Sequence, residues 1–158
     1  MDEKGALLQG AIGTWWGKVS TWLRPEAAPL IGEISGSFSR LLDGGSVHYE
    51  YTSKVGEHRS DGIAIIGKDL SDGLIRMTWV DTFHTSSDMM VLTQDAKGDE
   101  LSFIGSYTAG EETWGWRVVF GPARNDELLI EHFNILPGGH EARAVEIKYQ
   151  RENSTPEA

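Results

Sequence analysis

Polar and apolar positions alternate with period two along most of this chain. In SVHYEYTSKV, Val47, Tyr49, Tyr51 and Val55 fall on one face and His48, Glu50, Thr52 and Lys54 on the other, as in a strand buried on one side. The same alternation predicts ten strands, at 13–22, 32–42, 46–55, 59–67, 73–83, 88–95, 99–108, 113–121, 127–136 and 142–151. Turn residues separate nearly all of them: Asp43-Gly44-Gly45, Val55-Gly56-Glu57, Ser71-Asp72-Gly73, Lys97-Gly98-Asp99, Ala109-Gly110, Asn125-Asp126 and Pro137-Gly138-Gly139. One early segment breaks the pattern. Leu7, Leu8, Ala11 and Ile12 recur at helical spacing, which predicts a short helix from Glu3 to Ala11 with Gly13 as its stop.

So many short strands joined by tight turns leave two exposed edges unless they close on themselves or stack as a sandwich. Ile75/Met77/Trp79/Phe83 and Trp114/Trp116/Val118/Phe120 place large residues on one face of two strands, which favours a closed barrel wide enough inside to be lined rather than filled. The expected fold is all-β: an up-and-down antiparallel barrel with a short N-terminal helix. It forms a single domain over 1–152, followed by a frayed polar tail at 153–158.

Gly13-Thr14-Trp15, just after the helix, resembles the G-x-W element of lipocalins and other calycin barrels. Arg151, closing Glu146-Ile147-Lys148-Tyr149-Gln150, resembles the Arg that packs on that Trp at the closed end of such barrels. Read with Ile65-Ile66-Gly67-Lys68-Asp69 and Trp79-Val80-Asp81-Thr82-Phe83-His84, the order and spacing resemble domain-of-unknown-function family 1579, a calycin-like family, over nearly the whole chain. That resemblance implies the barrel, with Trp15 and Arg151 as its structural closure through cation–π packing, and no established general function. Gly13-Thr14-Trp15-Trp16-Gly17, with His140 ahead of the last strand, is similar to nitrobindin-like haem barrels. This second likeness implies haem as an alternative to a cofactor-free protein.

Composition narrows the partners. With 14 basic and 24 acidic side chains the net charge is -10, which opposes nucleic acid and anionic membrane surfaces. No segment approaches the roughly 20 apolar residues of a membrane-spanning helix. The start, MDEKGALLQG, lacks the basic and apolar regions of a secretion signal, so a cytoplasmic location is expected. The absence of Cys removes disulfides, thiol catalysis and Cys-based metal sites. There is no G-x-S-x-G elbow, phosphate-binding glycine loop, H-E-x-x-H or G-x-G-x-x-G.

The densest polar-aromatic stretch is WVDTFHTSSD, in which Asp81 and His84 form a catalytic candidate, a carboxylate-oriented imidazole. They fall on opposite faces of an unbroken strand, so a bulge or turn near Thr82 is needed to unite them. The bland alternative makes Asp81 a turn cap and His84 a solvated turn residue. Strand parity nominates Arg40, beside Ile34, Phe38 and Leu42, as an inward anchor for an anion, or else as a strand-end cation reaching water. It also nominates His132, beside Leu128, Ile130 and Leu136, as a ligand contact, or else as a hydrogen-bonded core histidine. Tyr51, Met77, Trp79, Met90, Trp114 and Trp116 are the lining candidates, with plain core packing as their other reading. The spacing of His48, His58, His84, His132 and His140 shows no metal motif.

Four functions follow from these residues. The leading one is a barrel that binds a small, largely apolar or amphipathic molecule. The second is a cofactor-free isomerase or cyclase using Asp81 and His84 in the same cavity, for which displaced titration of an inward Asp or His is the discriminating sign. The third is haem binding through His132 or His140, and the fourth is association alone, with a homodimer left open.

Overall fold

A computed structural model describes residues 3–86, 88–97 and 100–152 of the chain. Helix α1 (Glu3–Ala11) leads into β1 (Gly13–Thr21), β2 (Leu30–Leu41), β3 (Ser46–Val55), β4 (His58–Lys68), β5 (Ile75–Asp81), β6 (Met90–Gln94), β7 (Leu101–Ala109), β8 (Glu112–Phe120), β9 (Glu127–Ile135) and β10 (Glu141–Arg151). Every strand runs antiparallel to its sequence neighbours, and β10 pairs with β1 from Trp15 opposite Arg151 to Thr21 opposite Val145. The result is a closed ten-stranded up-and-down barrel, which leaves no sheet edge to solvent.

Such a topology places alternate connections at opposite ends. Those after β1, β3, β5, β7 and β9 rim a mouth, while the others join α1 at the closed end. Leu8 and Ala11 of α1 are buried there against the core. Trp15 is fully buried and its Nε1 donates to the carbonyl oxygen of Ala11 at 2.7 Å. The Arg151 guanidinium lies 4.3 Å from the centre of the Trp15 ring and donates to the carbonyl oxygens of Gly10 and Ile12, each at 2.8 Å. A cation placed on the last carbonyls of a helix satisfies groups that have no partner within the helix. Gly13, at φ 135°, is required between them, since a Cβ there would stand 2.6 Å from Arg151 Nη1.

Large side chains fill the closed half of the lumen. Phe38 stacks on Tyr49 at 4.1 Å, Phe120 meets Phe38 and Phe103 edge-on, and Ile66, Leu92, Leu101 and Ile130 are fully buried around them. The expectation of an interior lined rather than filled therefore fails for this half, because the inward aromatics meet across the barrel.

Two strands are shorter than their patterns predict. β5 starts at Ile75 and stops at Asp81 rather than spanning 73–83, and β6 covers five residues of the predicted 88–95. The chain leaves β5 because Asp81 Oδ1 accepts the backbone N–H groups of His84 and Thr85 while its carbonyl accepts Ser86 N–H at 2.9 Å, which turns the backbone out of the sheet. The predicted start of the seventh strand at 99, the turn at Gly98-Asp99 and the tail 153–158 lie outside the described residues. Among the described residues no helix is long and apolar enough to cross a membrane.

Candidate functional site

The turn after β5 folds back over the mouth and carries His84 to the Asp81 carboxylate. Asp81 Oδ2 accepts from His84 Nδ1 at 3.0 Å and from the Tyr51 hydroxyl at 2.8 Å, while Oδ1 holds the turn's backbone. One buried carboxylate thus accepts four hydrogen bonds from the described residues. Burial alone would raise its pKa; hydrogen bonding and charge from His84, helped by the N–H groups of His84 and Thr85, outweigh burial and bring it down to about 2. Thr85 locks the turn further, its hydroxyl accepting from Asp81 N–H at 2.7 Å.

Tyr51 holds the carboxylate from the other side. Its hydroxyl accepts from Trp79 Nε1 at 3.0 Å as it donates to Asp81. Burial first, and the neighbouring Asp81 charge second, push its pKa well above the usual phenol range, so it stays a donor. Its ring lies over Gly62, where a Cβ would stand 2.1 Å from Tyr51 Cζ.

A second imidazole packs on the same tryptophan pair as the first. Trp79 and Trp116 stack at 5.6 Å; His84 lies 5.2 Å from Trp116, and His132 lies 5.2 Å from Trp79 and 5.6 Å from Trp116. Trp116 Nε1 donates to His132 Nδ1 at 3.0 Å. An indole N–H can only donate, so His132 Nδ1 carries the lone pair and its proton sits on Nε2. Burial lowers the His132 pKa to about 3, with His84 pushing the same way and Asp81 opposing, so the ring is neutral at physiological pH. Neither His84 Nε2 nor His132 Nε2 has a hydrogen-bond partner among the described residues.

These side chains border a lumen cavity of about 40 Å³ beneath the mouth. Its wall is mostly apolar, from Val19, Ile34, Val145 and Ile147 to Leu30, Val55 and Phe83, and is interrupted by Thr21, Tyr51, Ser53, Ser60, Asp81 and three imidazoles, those of His58, His84 and His132. The volume admits a functional group of a few atoms and is far below the roughly 300–1,000 Å³ that engulfs a whole drug-sized ligand. A larger hollow of about 580 Å³ crosses the outward faces of β1 to β5 at Ser35, Glu50, Asp61 and Ile63; it is a shallow groove open to water.

Of the candidates read from the sequence, Asp81, His84, Tyr51, Trp79 and His132 meet at this cavity, and Trp116 backs both imidazoles. Met77 is buried in the core outside the cavity lining. Met90 is half-buried away from the cavity, and Trp114 stacks on Tyr107 at 6.4 Å. Arg40 is exposed at the closed end, where it donates to Gln9 at 2.9 Å, so it offers no anion anchor inside the barrel. Its parity is inward, but β2 has passed the end of the lumen by that point. His84 is only partly exposed, at 21% of its side chain, and is not a solvated turn residue. Phe83 belongs to the turn and not to the inward face of β5. Thr21, Ser53, His58 and Ser60 were not among the site candidates read from the sequence; Ser60 shares its strand face with Ala64 and Ile66, and that parity was the available signal.

A porphyrin does not fit the lumen, and His140 is exposed in the β9–β10 turn with its carbonyl accepting from Leu136 N–H at 2.8 Å. Among the described residues no three His, Asp or Glu side chains converge as a metal centre would require.

Comparisons with known proteins bear on the fold. A family model described as "Protein of unknown function (DUF1579)" matches residues 2–151. Among solved structures, the S-type phycobiliprotein lyase CPES from Guillardia theta is similar with a TM-score of 0.51 and 12% identity, over 96% of this chain and 97% of that one. No curated protein matches the sequence at a significant level.

Proposed function

The chain belongs to DUF1579, a family of unknown function, and from that premise we propose that its barrel binds a small molecule at the mouth, holding a polar group of it in the lumen cavity. One observation carries the reading. His84 and His132 line a mostly apolar cavity with each Nδ1 committed to the protein and each Nε2 left over. Neither Nε2 is sealed inside the protein, since the side-chain atom buried without a partner among the described residues is Arg117 Nε, so both nitrogens are open to a ligand that enters the cavity. The apolar remainder of the molecule would lie across Leu30, Val55 and Phe83 and contribute about 25 cal/mol per Å² of area removed from water. Ionised Asp81 at the mouth and a net charge of -10 favour a neutral head group, a carbonyl or hydroxyl, over a carboxylate.

The test is calorimetric titration with neutral cyclic ketones, alcohols and fatty acids, on the wild type and on Ser60→Leu. Ser60 is 8% exposed and lines the cavity, so leucine fills it. Neutral ketones or alcohols are expected to bind the wild type and to lose at least tenfold in affinity to Ser60→Leu. Equal binding by a Ser60→Leu protein of unchanged circular dichroism, or binding by none of the compounds, contradicts the proposal.

A further inference from the structure

We infer that the cavity is built to move a proton on a carbonyl compound, with His84 as the base and His132 as the hydrogen-bond donor to the carbonyl oxygen. The inference rests on the binding reading above and goes past it, because a site that only binds does not need the two imidazoles to be held in opposite roles.

The roles follow from what each Nδ1 touches. Asp81, acceptor-only when ionised, takes the proton of His84 Nδ1 at 3.0 Å, so the neutral His84 ring keeps its lone pair on Nε2. Trp116 does the reverse to His132, donating to Nδ1 at 3.0 Å and leaving the proton on Nε2. One free nitrogen is therefore a lone pair and the other an N–H, in residues that line one cavity and pack on the same tryptophan pair. The supports are ordered as well. Trp79 donates to Tyr51, Tyr51 to Asp81, and the turn's own N–H groups fix the carboxylate's second oxygen. A negative carboxylate behind a base is useful once that base has become a cation, which happens only when it takes a proton.

The step balances without a cofactor or redox partner. His84 Nε2 takes a proton from the carbon next to the carbonyl, and the C–H electron pair becomes a C=C bond. The carbonyl π pair moves onto oxygen, and His132 Nε2–H holds the enolate that forms. Imidazolium His84 then either trades that proton for a deuteron of the solvent D₂O and returns the deuteron to the same carbon, giving exchange, or delivers the proton to the γ carbon of a β,γ-unsaturated ketone, giving the α,β isomer. The apolar wall keeps water from weakening both interactions. Asp81 is a positioning residue here, since it reaches the substrate only through His84.

The experiment uses cyclohexanone and cyclohex-3-enone in D₂O with the whole chain. Proton NMR follows loss of the α-hydrogen signal and isomerisation, and saturation transfer in the same tube reports binding. Wild type is expected to exchange α-hydrogens above the buffer rate. His84→Gln is expected to lose about 10²–10⁴-fold while still binding the ketone. His132→Leu is expected to lose the reaction, and His132→Gln, whose amide still accepts from Trp116 and still offers an N–H, to retain part of it. Binding without exchange overturns the inference and leaves the binding reading intact. Exchange that survives His84→Gln unchanged also overturns it, and neither binding nor exchange removes both readings. If His84→Gln disturbs the circular dichroism spectrum, the contrast between His132→Leu and His132→Gln decides on its own.

Discussion

Asp81 divides its two oxygens between backbone and side chains: Oδ1 turns the backbone out of β5, and Oδ2 accepts from His84 and Tyr51. Period two places Asp81 and His84 on opposite faces, and they meet only because the strand stops at Asp81. Thr85 and Ser86 carry hydroxyls of the kind that favour turns and so mark such a stop in the sequence, whereas the capture of two N–H groups by one side chain leaves no periodic trace. The buried imidazole has a thermodynamic consequence that can be measured. His132 titrates at about 3 when folded, against roughly 6.5 unfolded, so below pH 6.5 the unfolded chain binds the extra proton. The stability is fully present well above pH 6.5 and falls as the pH drops through that value toward 3, by about 2 kcal/mol between pH 6.5 and 4.5. Asp81, with its lowered pKa, costs stability only from about pH 4 toward 2, outside that window. Urea denaturation across pH 6.5–4.5 is expected to show a steep loss for the wild type and a shallower one for His132→Gln. Identical slopes would mean that His132 is not held neutral.

Among the elements, α1 and the longer strands were readable because alternation and glycine-bearing turns coincide: α1 and β3 have the predicted ends, and β2, β4, β8 and β10 come within two residues of them. β6 was harder, because its neighbours bind it weakly. It shares four residue pairs with β5 and only two with β7. Its amides are accordingly expected to exchange with D₂O sooner than those of β2 or β3, and slower exchange at Val91–Gln94 than in β3 would contradict this seam. The closure between Trp15 and Arg151 belongs to the same scale, since it ties α1, β1 and β10 together. Arg151→Ala removes a cation–π contact and two hydrogen bonds to helix carbonyls, and is expected to cost about 2–4 kcal/mol in urea denaturation. A loss below about 0.5 kcal/mol would show the contact to be incidental.

In the whole molecule, the sequence separated inward from outward faces but gave no measure of volume. Parity places Phe38, Trp79, Phe103 and Trp116 inside equally well whether they line a wide cup or meet across a filled one, and here they are packed in the core and leave a cavity of about 40 Å³ beneath the mouth. That small remainder is where the acidic barrel keeps two imidazoles with opposite hydrogen-bonding roles, and the account stands or falls on those roles. The most direct test is long-range proton–nitrogen NMR of the five imidazoles, with and without cyclohexanone. The account predicts that His132 stays in the Nε2–H form from pH 8 to pH 5, and that the ketone shifts His84 and His132 together while His48 and His140 stay unmoved. A His132 that takes up a second proton in that range, or a ketone that moves neither ring, would contradict it.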